Sequence, residues 1–413
     1  MSNVPKLRFK EFSEEWAEKK LLSLSENGFS NGAFNDPKKV GSGYKIINVK
    51  DMYIDGTINT NSLTKVALDE KEFLKNRVEY GDIFFTRSSL VKEGIAYSNI
   101  NLSNDEDLTF DGHLIRMRPK KEICSPIFLY YNFKTQRVRN QFIVRGKTTT
   151  MTTIGQDDIS SVNISLPSKQ EQEKIALFLT SVDTKIEQLT KKEQLLQQYK
   201  KSVMQKIFNQ EIRFKDDDGS EFCEWEEKKL GNICKLQGGF AFKSEQFRKS
   251  GIPIIRISNI SNINNYIDRE NIVYYDAIPN DRNFSITNGD LIVAMSGATT
   301  GKASIYNLNE KAYLNQRVGL FRANKDKLYY GYLVQFVFSK LFYRQLDTVL
   351  VAGAQPNISS KDIEDFKFNL PCLKEQIKIA NFLSSIDSKI EQVQQHLNST
   401  KEFKKALLQQ MFV

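Results

Sequence analysis

The chain has 413 residues, with 59 Lys and Arg against 50 Asp and Glu, a formal charge of +9, and 40% hydrophobic and 11% aromatic content. This length and apolar content exclude a single small module and a disordered chain, and leave room for two or three domains, each with its own core. The basic balance favours polyanionic partners such as nucleic acid.

The opening residues, MSNVPKLRFKEF, lack the apolar run of a signal peptide. No stretch of the chain reaches the roughly 18 unbroken apolar residues of a spanning helix, so a cytoplasmic protein without membrane contact is expected. From there to residue 165, β-rich runs (GYKIINV, GDIFF, HLIRMRP) alternate with Asn, Gly and Asp turns and one helical stretch, PIFLYYNFKTQRVRNQF. That pattern predicts an α+β domain over 1–165.

A long helix is predicted over 166–209. No Gly or Pro occurs between Pro167 and Gly219, and the segment is rich in Lys, Glu, Gln and Leu. Pro167 closes the alternating strand VNISL, and Ser168-Lys169-Gln170-Glu171 reads as a capping box. Ile175, Val182, Leu189, Leu196 and Val203 recur every seven residues, the spacing of a coiled-coil seam.

Residues 210–369 repeat the first composition. IPIIRIS and GDLIVAM read as strands and KLYYGYLVQFVFSKLFYRQL as helix, giving a second α+β domain. A second long helix follows over 370–413, with Ile379, Ile386, Val393 and Leu407 on its seam. Thr400 stands where Leu196 stood, and Cys372 where the capping Ser stood, which weakens that seam and that helix start.

The two helices are copies. LPSKQEQEKIALFLTSVDTKIEQL at Leu166 returns as LPCLKEQIKIANFLSSIDSKIEQV at Leu370, and the match runs without a gap to Phe208 and Phe412. A fainter echo links LRFKEFSEEWAEKKL at Leu7 to IRFKDDDGSEFCEWEEKKL at Ile212, and YGDIFFTRSS at Tyr80 to NGDLIVAMSG at Asn288. The chain is thus a tandem duplication whose helices agree and whose intervening domains diverge. Two such helices can pair within one chain, and antiparallel packing would carry the two domains to opposite ends of a rod.

No catalytic constellation emerges. GATTGK at Gly297 has three residues between its glycines, and Ala303 follows the Lys, so it fails the phosphate-loop pattern. In KDDDGSE, placing Gly219 sixth in a calcium loop would make Phe214 and Trp225 ligands, so this segment reads as a solvated linker. Two histidines without a Gly-x-Ser-x-Gly leave hydrolase triads unsupported. There is neither the Asn/Asp-Pro-Pro-aromatic segment of amino-methyltransferases nor a Rossmann-like glycine fingerprint. The EKK runs at Glu18 and Glu227 read as surface charge beside a Trp anchor. Cys124, Cys223, Cys234 and Cys372 show no C-x-x-C spacing, which indicates buried free thiols and neither a disulfide framework nor a metal site.

At LPSKQEQEKIA and LPCLKEQIKIA, each opening a long helix after a divergent domain, the chain resembles the specificity (S) subunits of bacterial type I restriction-modification enzymes. The resemblance spans the whole chain and departs mainly at Ser168 and Cys372, where such subunits often carry Pro. It implies two target-recognition domains of α+β fold, each reading one half of a bipartite double-stranded DNA target. It also implies that the two helices form an antiparallel coiled coil with pseudo-twofold symmetry that sets the gap between the halves. The implied partners are two methyltransferase (M) subunits and motor-nuclease restriction (R) subunits; S-adenosylmethionine, ATP and magnesium would belong to them, with no cofactor on this chain. About forty helical residues give a rod of about 60 Å, long enough to hold half-sites about one DNA turn apart.

Base-reading side chains should be long or amide-bearing and sit on exposed loops. The candidates are Arg87, Ser88 and Lys92 after GDIFF, and Arg145, Lys147 and Thr148 in RGKTTT. In the second domain they are Ser296, Thr299 and Lys302, then Gln316 and Arg317, then Gln355 and Asn357. Two rival readings are a coiled-coil scaffold that binds only proteins and a self-contained DNA-cutting enzyme. The paired, turn-rich domains speak against the first, the missing nuclease and motor motifs against the second.

Overall fold

A computed structural model describes residues 4–34, 37–54, 56–261, 264–351 and 357–413. The chain divides into two compact units, Met1–Lys191 with Gln394–Val413, and Lys192–Val393. The division falls inside the two long helices, Lys169–Phe208 and Leu373–Gln410, so each unit owns a stretch of both.

In unit 1 an antiparallel sheet has the strand order Ser25–Asn31, Leu114–Pro119, Ile83–Thr86, Ser98–Ile100. A second sheet orders Thr64–Val66, Val40–Ile47 and Leu108–Phe110, the last pair being parallel. Ile83 and Phe85 point to one side of their strand and Phe84 to the other, and both sides are buried. Accordingly the main core gathers Phe85 with Phe128, Phe133 and Phe142 of the helices, while Phe84 packs with Phe110 in a second core between the sheets. The main core also takes in Trp16 and, from the last helix and its end, Leu407, Met411 and Phe412.

Unit 2 repeats this plan. Cys234–Gly238, Val318–Ala323, Leu291–Ala294 and Ala303–Ile305 form one sheet; Val273–Tyr275, Ile252–Ile255, Ala312–Leu314 and Ser285–Ile286 form the other. The shared Gly-Asp before the central strand has a local cause. Gly81 and Gly289 take φ of +91° and +92°, a conformation that favours glycine. The following Asp turns back to accept the N–H of Glu79 or Thr287, at 2.9 and 2.8 Å.

The Glu-Gln pair of the repeated helix start has the same two tasks in each unit. Glu171, buried, receives the Arg8 fork at 2.8 Å on each oxygen and the Trp16 indole N–H at 3.3 Å. Glu375, also buried, receives Arg213 at 3.4 and 3.1 Å and Trp225 at 2.9 Å. The neighbouring glutamines close the turn ahead of the domain helices. Gln172 Oε1 accepts from Ser125 N at 2.9 Å while its Nε2 donates to the Ile123 and Pro167 carbonyls. Gln376 makes the same three bonds with Tyr329, Lys327 and Pro371. A carboxylate and an amide, one after the other on a helix, thus fasten the leading segment and the helical layer of a unit to its long helix.

Several expectations need correction. Ser168 Oγ does accept the Glu171 N–H at 3.3 Å, but the Glu171 carboxylate serves Arg8 and Trp16, so the capping box is only half formed. Each stretch read as one helix is two, Pro126–Phe133 with Gln136–Arg145 and Tyr330–Val337 with Lys340–Val351. The acidic linker is not merely solvated: Asp216 and Asp217 lie 3.3 and 2.6 Å from Lys374 and Lys378 on the last helix. Cys124 and Cys234 are buried, but Cys223 is exposed and Cys372 half-buried. Of the seam positions, Ile175, Val182, Leu189, Val203, Ile379, Ile386, Val393 and Leu407 are buried and Leu196 is half-buried. Leu397, which lies off that sevenfold series, is buried as well.

Candidate nucleic-acid interface

At one end of unit 1 three chain segments meet. Arg87, just past the strand Ile83–Thr86, donates its N–H to the His113 carbonyl at 3.1 Å and accepts from Ile154 N at 3.0 Å. Ser88 and Ser89 pair with Thr153 and Thr152, which pair in turn with Lys147 and Thr148, so a short three-stranded ribbon results. The structure therefore joins the two groups of candidates that lie about sixty residues apart in the chain.

Their side chains differ in freedom. Arg87 is exposed and its guanidinium has no hydrogen bond or ion pair among the described residues; Lys92 is exposed on the next turn. The Lys147 side chain is 78% exposed, 3.7 Å from Asp158. Thr148 Oγ1 lies 2.9 Å from Thr152 Oγ1. Arg145 is committed elsewhere, with Nε donating to Ser161 Oγ at 2.9 Å and Nη1 to the Gln141 carbonyl at 3.0 Å. The ribbon's neighbours include two residues that sequence reasoning did not single out. His113 is steered by Asp111, whose Oδ1 lies 2.7 Å from both its N–H and its Nδ1, and the exposed Phe34 ring meets it edge-on. Only the scarcity of histidine could have pointed to His113.

Unit 2 builds the same end with other side chains. Met295 N donates to the Arg317 carbonyl at 2.9 Å and Ile358 N to the Met295 carbonyl at 3.0 Å, the counterparts of the two Arg87 bonds. Ser296 bridges Asn357 where unit 1 has its ribbon. The turn preceding each second segment docks identically: Gly112 N on the Ala33 carbonyl at 2.8 Å, Gln316 N on the Phe240 carbonyl at 2.9 Å. Close packing there requires glycine, since a Cβ on Gly32 would lie 1.9 Å from the Phe110 carbonyl oxygen and one on Gly239 2.2 Å from that of Leu314. Where unit 1 carries Arg87 beside His113, unit 2 carries Met295 beside Arg317, so the strong cation changes strands.

Gln316, Arg317 and Asn357 are exposed. Ser296 is buried, Thr299 Oγ1 is held by the Ile257 carbonyl at 3.0 Å, and Lys302 is half-buried just before the strand Ala303–Ile305, its carbonyl accepting the Ala294 N–H at 2.9 Å. Gln355 lies outside the described residues. Among the described residues no group of three or more His, Cys, Asp or Glu could hold a metal, and no helix is long and apolar enough to cross a membrane.

A family model for the type I restriction modification DNA specificity domain matches residues 13–198 and 223–401. The specificity subunit of the type I restriction enzyme MjaVIII of Methanocaldococcus jannaschii is 26% identical over 305 residues, covering 71% of each chain. The specificity subunit assigned to the MjaX enzyme of that organism is 26% identical over 418 residues, covering 98% of this chain and 95% of the relative. Among solved structures, the type I restriction-modification S subunit from M. genitalium aligns with a TM-score of 0.63 at 17% identity, covering 99% of both chains. That likeness shows a shared mixed α and β fold. With two matches that together span most of its length, the chain belongs to the family of type I restriction-modification DNA specificity domains.

Proposed function

We propose that this chain is the DNA-reading subunit of a type I restriction-modification complex, each unit contacting one half of a bipartite target in double-stranded DNA. The observation that carries this reading is the pair of equivalent ends, built on the same backbone hydrogen bonds but bearing different side chains. One scaffold placed at both halves of a duplex site, with different readers on it, addresses an asymmetric sequence that a homodimer could not.

The two long helices act as an antiparallel coiled coil. Supporting this, Asp183 pairs with Lys404 at 2.5 Å in unit 1, and Asp387 with Lys200 at 2.6 Å in unit 2. Going from 183 to 200 along the central helix goes back from 404 to 387 along the last, the register of opposed directions. Each Asp also accepts from its own unit, from Tyr131 OH at 2.8 Å or Gln335 Nε2 at 3.0 Å. This duplicated scaffold offers two equivalent seats, which suits two methyltransferase subunits, with restriction subunits joining for cleavage. S-adenosylmethionine, ATP and magnesium are held by those partners, and the complex works on DNA in the cytoplasm.

The test is to purify the chain with and without a methyltransferase partner and to map methylated adenines by sequencing. The expected result is no methyl transfer by the chain alone, and methylation at a two-part sequence once the partner is present. Methyl transfer or DNA cleavage by the pure chain would favour a self-contained enzyme instead, and assembly without any sequence preference the protein-only scaffold. Within that assay, Arg87→Ala is expected to relax discrimination at one position of one half-site by about 1–3 kcal/mol, the worth of a bidentate base contact. Uniform weakening with a flatter salt dependence would place Arg87 on phosphate.

A further inference from the structure

The loop after Arg87 is longer in unit 1 than its counterpart in unit 2. Ala96 N returns to the Thr86 carbonyl and Gly301 N to the Ala294 carbonyl, so the loop closes nine residues after Arg87 but six after Met295. The longer loop carries Leu90 and Val91, 87% and 60% exposed. Unit 2 has Ala298 and Thr299 at the corresponding place.

Single exposed aliphatic residues are ordinary, but this pair sits on a braced support. Arg139 spans the loop base, with Nη1 donating to the Ala96 carbonyl at 2.7 Å and Nη2 to those of Ile95 and Glu93 at 2.6 and 2.9 Å. Ile95 and Ala96 are fully buried. Val91 N donates to Ser89 Oγ at 3.3 Å and Gly94 N to the Val91 carbonyl at 3.1 Å, which closes the tip on itself. Exposed cations flank it: Arg87 before, Lys92 after, and Lys147 across the ribbon. A rigid apolar tip costs hydration free energy in the unbound chain, and preorganisation of this kind serves binding.

Cations on both sides suit phosphates, and an exposed tip of two aliphatic side chains can reach base edges in the major groove, where the thymine 5-methyl is the apolar group on display. Resting on the DNA-reading function proposed above, we infer that Leu90 and Val91 read thymine by seating its 5-methyl group in the half-site that unit 1 contacts.

The experiment uses the complex of the full chain with its methyltransferase partner and a duplex bearing the mapped target. Thymines on both strands are replaced one at a time by deoxyuridine, which removes only the methyl. One or two replacements, all in one half-site, are expected to weaken binding by on the order of fourfold each, the fold-change corresponding to about 0.8 kcal/mol per buried methyl-sized group. In the Leu90→Ser, Val91→Ser variant, whose thermal midpoint should be unchanged because both side chains are exposed, the same replacements should have no effect. Specific binding that is indifferent to every thymine, sensitivity that persists in the variant, or a first half-site without thymine overturns the inference while leaving the DNA-reading function intact. Unstacking of the adjacent step, reported by 2-aminopurine fluorescence, would show a wedge instead and also overturns it. Failure to bind the mapped duplex at all overturns both readings.

Discussion

Glu171→Ala is expected to destabilise unit 1 by about 3–5 kcal/mol, the cost of leaving one partner of a buried ion pair alone. The Arg8 side chain is 10% exposed and the Glu171 side chain 1%, so water cannot replace the lost carboxylate. Arg8 Nη2 would keep only the Glu14 carbonyl at 2.5 Å, and the Trp16 indole N–H would have no acceptor left. Glu375→Ala should cost unit 2 somewhat less, near the lower end of that range. There Arg213 is 24% exposed and its bonds to the carboxylate are longer, at 3.1 and 3.4 Å. The chain has two tryptophans, Trp16 in unit 1 and Trp225 in unit 2. In a Trp225→Phe background, urea unfolding followed by fluorescence therefore reports unit 1 alone. A midpoint shift worth less than about 1 kcal/mol would show that the pair is solvated in practice and does not anchor the leading segment. Replacing Arg8 and Glu171 together by Met and Leu should cost much less than Glu171→Ala, since no unpaired charge remains.

The repeat was legible because helix and turn chemistry are local. The absence of Gly and Pro, the sevenfold apolar spacing and the Gly-Asp turns each involve neighbours within a few positions, and the structure has helices and strands at those places. What the repeated Glu-Gln does was not legible, because its partners lie up to 163 residues away and nothing in the sequence marks Arg8 or Ser125 as their targets. The same limit explains the mixed result at the interface. Residue type picked out Arg87, Lys147 and Arg317, which are exposed. It equally picked Arg145 and Thr299, whose polar atoms are held by Ser161 and Ile257. A cation or hydroxyl in a loop states what it can bind, whereas folding decides whether it is already bound. Arg139 shows the converse: it reads as one charge among many on a helix, yet it gathers three carbonyls of the loop that bears Leu90.

Exchange of residues 210–369 for the matching segment of a related subunit is expected to change one half of the methylated sequence and to leave the other half and the gap unaltered. The boundaries are favourable: the central helix ends at Phe208, Gln210 makes a left-handed turn at φ +59°, and Pro371 follows the last strand of unit 2. The graft must still fit the helices it leaves behind. Val203, Met204, Ile207 and Phe208, with Ile379, Ala380, Leu383 and Ile386, belong to the core of unit 2 and would be supplied by the host. A donor should therefore bring an Arg and a Trp for the buried Glu375 carboxylate, and a main-chain N–H where Tyr329 meets Gln376. Each altered base pair costs about 1–3 kcal/mol, roughly additively. Three altered positions would thus lower affinity for the old target by about a hundredfold or more. Mapping methylated adenines in cells that express the exchanged chain reads both halves in one experiment. A base change in both halves would mean that the units do not read independently. An altered gap would mean that the spacing is set inside the exchanged segment and not by the two helices.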